Sequence, residues 1–249
     1  MRLIVNADDF GYTRGVTYGI LESFRQGIVT STTMICTTPW MDHAVEIAKA
    51  HPNLGVGVHL VLTCGKPLRT DVPSLVREDG TFHRQSDFIH YVKEDEVERE
   101  WEAQIQRFIS SGLKPTHFDS HHNVHGRELI LPIALKLARK YNVPLRKSDA
   151  ENNPANDKKY GSVRHTNFLY RDFYGDGSTL ENLAGLIENA AIKEGSSEIN
   201  CHPAFIDSEL VRASSYTAPR LKEFDILTCD AIKDIVERNN IQLIHYGQL

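Results

Sequence analysis

Residues 2–24 run RLIVNADDFGYTRGVTYGILESF, and this stretch decides the fold class. Leu3, Ile4 and Val5 form a short apolar run of strand type, Asp8-Asp9-Phe10-Gly11 turns the chain, and Val16, Ile20, Leu21 and Phe24 then recur at helical spacing. Strand, acidic loop and helix make the first unit of an α/β protein, with two acids at the strand's C-terminal end. Gly27 stops the helix, and the Val-, Ile- and Thr-rich residues 28–36 predict a second strand. A helix over 42–50 ends at His51-Pro52, and GVGVHLVL at 55–62 reads as a third strand with His59 near its end.

Farther along, residues 63–86 carry Gly65, Pro67, Pro73 and Gly80 without a period, the pattern of a long loop with a functional reason to exist. Residues 94–111 set Val97, Trp101, Ile105 and Phe108 on one helical face. A strand over 116–120, a helix over 127–141 and a strand over 143–146 follow. Residues 149–178, rich in Asn, Asp, Gly and Lys with Tyr160, Phe168, Tyr170, Phe173 and Tyr174 between them, predict an excursion that borders a site. A helix over 180–193, a strand over 198–201, a helix over 230–238 and a strand over 242–246 complete the series.

Strands that alternate with helices call for a mainly parallel sheet. Asp8 and Asp9, His59, Asp119 and His121, and His202 stand at the C-terminal ends of four different predicted strands. Barrel enzymes gather their catalytic groups in this way, whereas an open sheet gathers them at one switch point. The expectation is one α/β domain over 1–249, built as a distorted or incomplete (β/α) barrel.

Of the 249 residues 41% are hydrophobic and 24% charged, which excludes a disordered, collagenous or coiled-coil chain. The formal net charge of -5 with no long run of one sign leaves no footprint for nucleic acid. There is no apolar run of the roughly 18 residues a membrane helix needs, and the apolar start is too short for a signal peptide. The four cysteines are widely spaced with no CxxC pair, so buried thiols in a reducing cytoplasm are expected, with no membrane partner.

The chemistry concentrates in histidine and acid. Of twelve histidines, His117, His121, His122 and His125 fall in the tract THFDSHHNVH at 116–125. A metal site is the simplest reading, and on a helix His121 and His125 would share a face; His122 stands where an HExxH zinc motif would have Glu. Of the adjacent acids Asp8 and Asp9, one could bind a metal while the other faces substrate, or both could serve a helix N-terminus. His59 is a ligand or a core histidine bonded to backbone, and His202 before Pro203 is a site residue or a strand-end turn. No GxSxG, P-loop or GxGxxG occurs.

Taken in order, NADDFG (6–11), GIVTSTT (27–33), GVHL (57–60), THFDSHHNVH (116–125), CHPAF (201–205) and PRLKEFDILT (219–228) resemble the YdjC-like carbohydrate deacetylases, and within them the chito-oligosaccharide deacetylases. The resemblance implies a barrel related to the polysaccharide deacetylases and one divalent metal ion, Mg²⁺ first, with Zn²⁺ or Mn²⁺ also compatible with the ligand set. It implies removal of acetyl groups from N-acetylglucosamine units of short chitin oligosaccharides or their 6-phosphates. By position Asp9, His59 and His121 match the metal ligands and Asp8 the catalytic base; Asn123 departs from a third consecutive His. His202 is the expected proton donor to the leaving amine and His125 the second choice, since an imidazole titrates near the working pH. Arg146 and Arg220 are expected at a sugar phosphate or hydroxyl, and a homodimer is the expected assembly. A two-metal phosphoesterase and a non-catalytic sugar-binding regulator are the other readings of the same residues.

Overall fold

The computed structural model describes residues 1–148 and 154–249 and is built on an all-parallel sheet. The central strand is β1 (Arg2–Phe10), flanked on one side by β2 (Ser31–Met34), β3 (Gly55–Leu60) and β4 (Phe118–Ser120). On its other side lie β5 (Phe168–Tyr170) and β6 (Ser196–Cys201), in the order β1-β6-β5, while β7 (Gln242–Leu243) pairs with the first residues of β1. Beyond β4 the backbone continues the ring: Arg146 N donates to Phe118 O and Leu145 N to Arg164 O, each at 2.9 Å. The sheet thereby curls into a distorted (β/α) barrel, as expected, and residues 143–146 supply it with a single parallel bridge from Leu145 to Phe118.

Around the sheet pack α1 (Arg14–Gln26), α2 (Met41–Ala50), α3 (Glu94–Ser110), α4 (Leu131–Tyr141), α5 (Leu180–Ala191), α6 (Ser208–Ala213), α7 (Ala218–Thr228) and α8 (Asp230–Arg238). Thr13 opens α1 by accepting a hydrogen bond from Val16 N at 3.2 Å, which satisfies one of the helix's unpaired first-turn donors. Val97, Trp101, Ile105 and Phe108 of α3 are fully buried, as their spacing requires.

Two departures from the sequence reading share a cause. β1 runs on past Val5 to Phe10, and α7 lies where the residues suggested only a motif. In both, the buried face carries polar and charged groups: Asn6, Asp8 and Asp9 in the strand, Arg220 and Glu223 beside Ile226 and Leu227 in the helix. Periodicity counts apolar residues, so an element that turns charged groups inward hides from it. Among the described residues no helix is long and apolar enough to cross a membrane. All four cysteines are unpaired; Cys36 and Cys201 are buried as expected, but Cys64 and Cys229 are only partly so.

Gly19 of α1 shows how closely the helix approaches the chain after β6. A Cβ there would stand 2.4 Å from Ala204 Cα and 2.6 Å from Phe205 N, and both obstacles are backbone. Gly19→Ala is therefore expected to destabilise by about 1–3 kcal/mol, lowering Tm by roughly 3–10 °C in a thermal melt. An unchanged Tm would show that the 202–205 segment yields without cost.

Candidate active site

The C-terminal ends of β1, β3, β4 and β6 open into a cavity of about 640 Å³, lined by Asp8, Asp9, His59, His121 and His202 with the loop residues around them. In a regular strand Asp8 and Asp9 would point to opposite faces. Here the β1–β2 register shifts between Ala7 and Phe10, and Asp9 adopts φ 75°, the left-handed region that Asp tolerates better than most residues. Both carboxylates consequently meet the cavity, and they are only 3% and 1% exposed.

Asp9 is the centre of one cluster. Its Oδ1 lies 2.9 Å from His121 Nδ1 and 3.3 Å from His59 Nε2, while its Oδ2 accepts a hydrogen bond from Arg220 Nη2 at 2.7 Å. His59 is oriented from behind: its Nδ1 faces Asp119 Oδ1 at 2.7 Å, and Thr33 Oγ1 donates to Asp119 Oδ2 at 3.0 Å. A carboxylate behind an imidazole fixes the tautomer and leaves the far nitrogen to face the cluster. Burial alone would raise the pKa of Asp9, but Arg220 and His121 hold it well below the carboxylate range. Burial would lower those of the imidazoles; instead Asp119 lifts His59 to about 10 and Asp9 lifts His121 to about 9.

Asp8 belongs to a second, deeper cluster. Arg146 grips its two oxygens at 2.6 and 2.7 Å and also reaches Asp119 and Glu198 at 2.8 Å each. Tyr246, near the C-terminus, donates its hydroxyl to Glu198. Burial opposes the charge on Asp8, yet Arg146 depresses its pKa far below the ordinary value. His202 Nε2 stands 3.8 Å from Asp8 Oδ2, and burial lowers its pKa to about 4 against the pull of Asp8.

Among the described residues two groups of side chains have spacing compatible with a metal ion: Asp9, His59 and His121, and Asp8, His59 and Asp119. The Arg146 guanidinium already bonds both carboxylates of the second group, so its positive charge fills that role. The first group fits. Donor atoms held about 2.0–2.2 Å from a common ion lie roughly 3 Å apart, which matches the separations from Asp9 Oδ1 to the two imidazole nitrogens. The raised proton affinity of both imidazoles is a further sign that their surroundings favour positive charge.

The structure therefore brings together Asp8, Asp9, His59, His121, His202 and Arg220, and parts two residues from them. Arg146, expected at a sugar, is 0% exposed and absent from the cavity wall, because three buried carboxylates claim its guanidinium. His125, the second choice of proton donor, is likewise fully buried behind the wall, with Nδ1 2.6 Å from Ser120 Oγ and a pKa pushed down to about 3 by burial and then by Arg146. The helical face that would have paired it with His121 does not form. Residues 121–126 make a kinked 3₁₀ segment in which His122 and Asn123 take φ 58° and 52°.

Of the aromatic residues of the 149–178 excursion, whose first five positions lie outside the described residues, Tyr174 lines the cavity, whereas Tyr160 and Phe173 are buried. Tyr174 stacks on Tyr216 at 4.1 Å, and both rings stand steeply inclined to His202, at 71° and 74°. Glu223 Oε2 accepts from the His202 backbone N at 2.5 Å. Sequence reasoning missed Glu198, Glu223 and Tyr216 as site residues. Glu198 alone left a signal, an acid inside a predicted strand. Four buried polar atoms of cavity residues have no hydrogen-bond partner among the described residues: Asn123 Oδ1, Asn200 Oδ1, His202 Nδ1 and Arg220 Nη1. A buried polar atom of this kind calls for a partner such as a water or a polar ligand.

Comparison with known proteins places this geometry. Residues 2–238 match the family model described as YdjC-like protein. A carbohydrate deacetylase of Geobacillus stearothermophilus is 44% identical over 98% of this chain and 96% of its own. An Enterococcus faecalis crystal structure, of a protein named for cellobiose-phosphate cleavage, superposes with TM-score 0.95 at 44% identity, covering 99% of this chain and 98% of that one. The chitin deacetylase of Colletotrichum lindemuthianum shares the fold, with TM-score 0.52 at 10% identity over 99% of this chain and 85% of its own.

Proposed function

The chain belongs to the YdjC-like protein family, and from that membership and the geometry of its cavity we propose that it is a metal-dependent N-deacetylase of short N-acetylglucosamine oligosaccharides or their 6-phosphates. Its relatives at 44% identity are carbohydrate deacetylases, which supports the reaction class. The observation that carries the reading is the adjacency of a three-residue ligand group, Asp9, His59 and His121, to a separate carboxylate, Asp8, that is buried, ionised and unshared with that group.

Asp9 Oδ1, His59 Nε2 and His121 Nδ1 would hold the ion. When bound, a divalent ion supplies a Lewis acid for the acetamide carbonyl and lowers the pKa of water. The protein's own groups do the rest. Arg146 orients Asp8 and keeps it anionic, so Asp8 takes the proton as water attacks the carbonyl carbon. His202 Nε2, 3.8 Å from Asp8 Oδ2, is the group we assign to take the proton on from Asp8 and deliver it to the departing amine, across a gap that must tighten. The C–N bond breaks, leaving acetate and a free amino sugar. Arg220 Nη1, buried in the wall without a protein partner, is the donor we assign to an oxygen of the substrate.

The test is acetate release from diacetylchitobiose and its 6-phosphate by the purified protein, as isolated, after chelation and after adding back Mg²⁺, Zn²⁺ or Mn²⁺. Release that stops with chelation and returns with one ion is the expected result. Two nitrogen donors to one oxygen favour Zn²⁺, and the resemblance favours Mg²⁺, so the add-back series decides between them. No release under any condition would overturn the reading.

Metal uptake is also expected to be steeply dependent on pH. His59 and His121 carry protons below about 10 and 9, and an ion must displace both. Apparent affinity therefore rises with pH, by up to about a hundredfold per unit from pH 7 to 8, and about two protons are released per ion. Calorimetric titration in buffers of different ionisation enthalpy counts them; a count of zero would mean that the imidazoles are already neutral.

A further inference from the structure

Beside the active-site cavity lies a second one of about 510 Å³, lined by Tyr12, Thr37, Pro39, Trp40, Cys64, Lys66, Glu209 and Arg212 among others. The two share Tyr12, Cys64 and Ala213 as a common wall. Tyr12 donates its hydroxyl to Ala213 O at 3.1 Å, so the wall is a low sill tied from the β1–α1 loop to the end of α6. The second cavity is formed by the segments that follow β1, β2 and β3 together with α6, and it lies beside the first at the C-terminal edge of the sheet.

We propose that this second cavity is a saccharide subsite, which receives the sugar unit next to the one carrying the scissile acetamide, with Trp40 as its platform. This rests on the deacetylase reading and extends it to the rest of the substrate. A pyranose ring offers an apolar C–H face and a rim of hydroxyls. The cavity offers the matching pair: the rings of Trp40 and Tyr12 with Ile35 and Pro39, bordered by Thr37, Lys66, Glu209 and Arg212. Trp40 is already oriented, since the Arg14 guanidinium lies 4.5 Å from its ring centroid. The active-site cavity has tyrosines but no tryptophan in its wall, and Trp40 is the tryptophan that lines the neighbouring one. Contacts at a distance from the acetamide strengthen binding of oligomers without touching the chemistry.

The holoenzyme tests this with Trp40→Ala and Trp40→Phe. On diacetylchitobiose, Trp40→Ala is expected to lower kcat/KM by about tenfold, mostly through KM, with Trp40→Phe retaining most of the parent value. The monomer N-acetylglucosamine, followed by turnover or as a competitor of the dimer, is expected to be affected less than twofold. A direct readout exists because the chain has two tryptophans and Trp101 is fully buried. The dimer should shift the emission of the parent and leave that of Trp40→Phe unchanged. Equal losses on monomer and dimer would reduce Trp40 to a fold-supporting residue, and unchanged dimer kinetics with unchanged emission would remove the subsite; either overturns the proposal. Should no substrate release acetate, the deacetylase reading fails on its own account, and the emission titration alone decides whether sugar binds at Trp40.

Discussion

Asp9→Asn is expected to abolish metal retention and deacetylation together, with activity down by on the order of 10³-fold or more. The substitution preserves shape and removes charge at the atom around which the site is organised. Asp9 Oδ1 is shared by His59 and His121, and its Oδ2 receives Arg220. With a neutral amide there, a guanidinium 2.7 Å away is left without its counter-charge, and a cation in the ligand group would be repelled rather than held. His59→Ala should give the same joint loss by removing a nitrogen donor that Asp119 holds in place. Metal content by elemental analysis, read beside acetate release, is the measurement. Stoichiometric metal in Asp9→Asn would take the residue out of the ligand set.

Asp8→Asn separates binding from turnover. It is expected to keep its metal and its KM, because Asp8 lies outside the Asp9, His59 and His121 group, while kcat falls by about 10²–10⁴-fold, the range of general-base effects. Some stability should be lost as well. An amide can offer only one acceptor oxygen to the two guanidinium donors now at 2.6 and 2.7 Å, so a thermal melt belongs beside the kinetics. Arg146 would still hold Asp119 and Glu198, which keeps the core network in place. A variant that folds, binds metal and retains its rate would make His202 the base that receives the proton directly. A variant that loses its metal would join the two clusters into one functional unit, contrary to the division drawn between them.

The two results bear on each other through Arg146 and Arg220. Each arginine neutralises one member of the adjacent acid pair, so two carboxylates in consecutive residues remain ionised in a buried place without repelling each other into protonation. The two acids thereby stay ionised in separate surroundings, Asp9 against the imidazoles and Asp8 beside His202.

The sequence by itself determined the alternation of strands and helices, the parallel sheet and the placing of acids and imidazoles at strand ends, because these follow from short-range periodicity and from turn residues close in the chain. The resemblance of NADDFG, GVHL and the His tract to the YdjC-like family added Asp9, His59 and His121 as the implied ligand set, a choice the residues taken alone left open. The tertiary structure decided what those residues meet. His121 and His125 looked like partners at helical spacing, but two left-handed residues between them turn one into the cavity and leave the other behind its wall. Arg146 looked like a substrate contact, but Asp8, Asp119 and Glu198 are separated from it by 138, 27 and 52 positions in sequence, and only the curled sheet brings three carboxylates around one guanidinium. Side-chain direction at a strand end depends on bulges and single backbone dihedrals, and charge pairing in a core depends on groups far apart in the chain. Neither is encoded in a local pattern, and for that reason the candidate residues were legible while the burial of His125 and Arg146 behind the cavity was not.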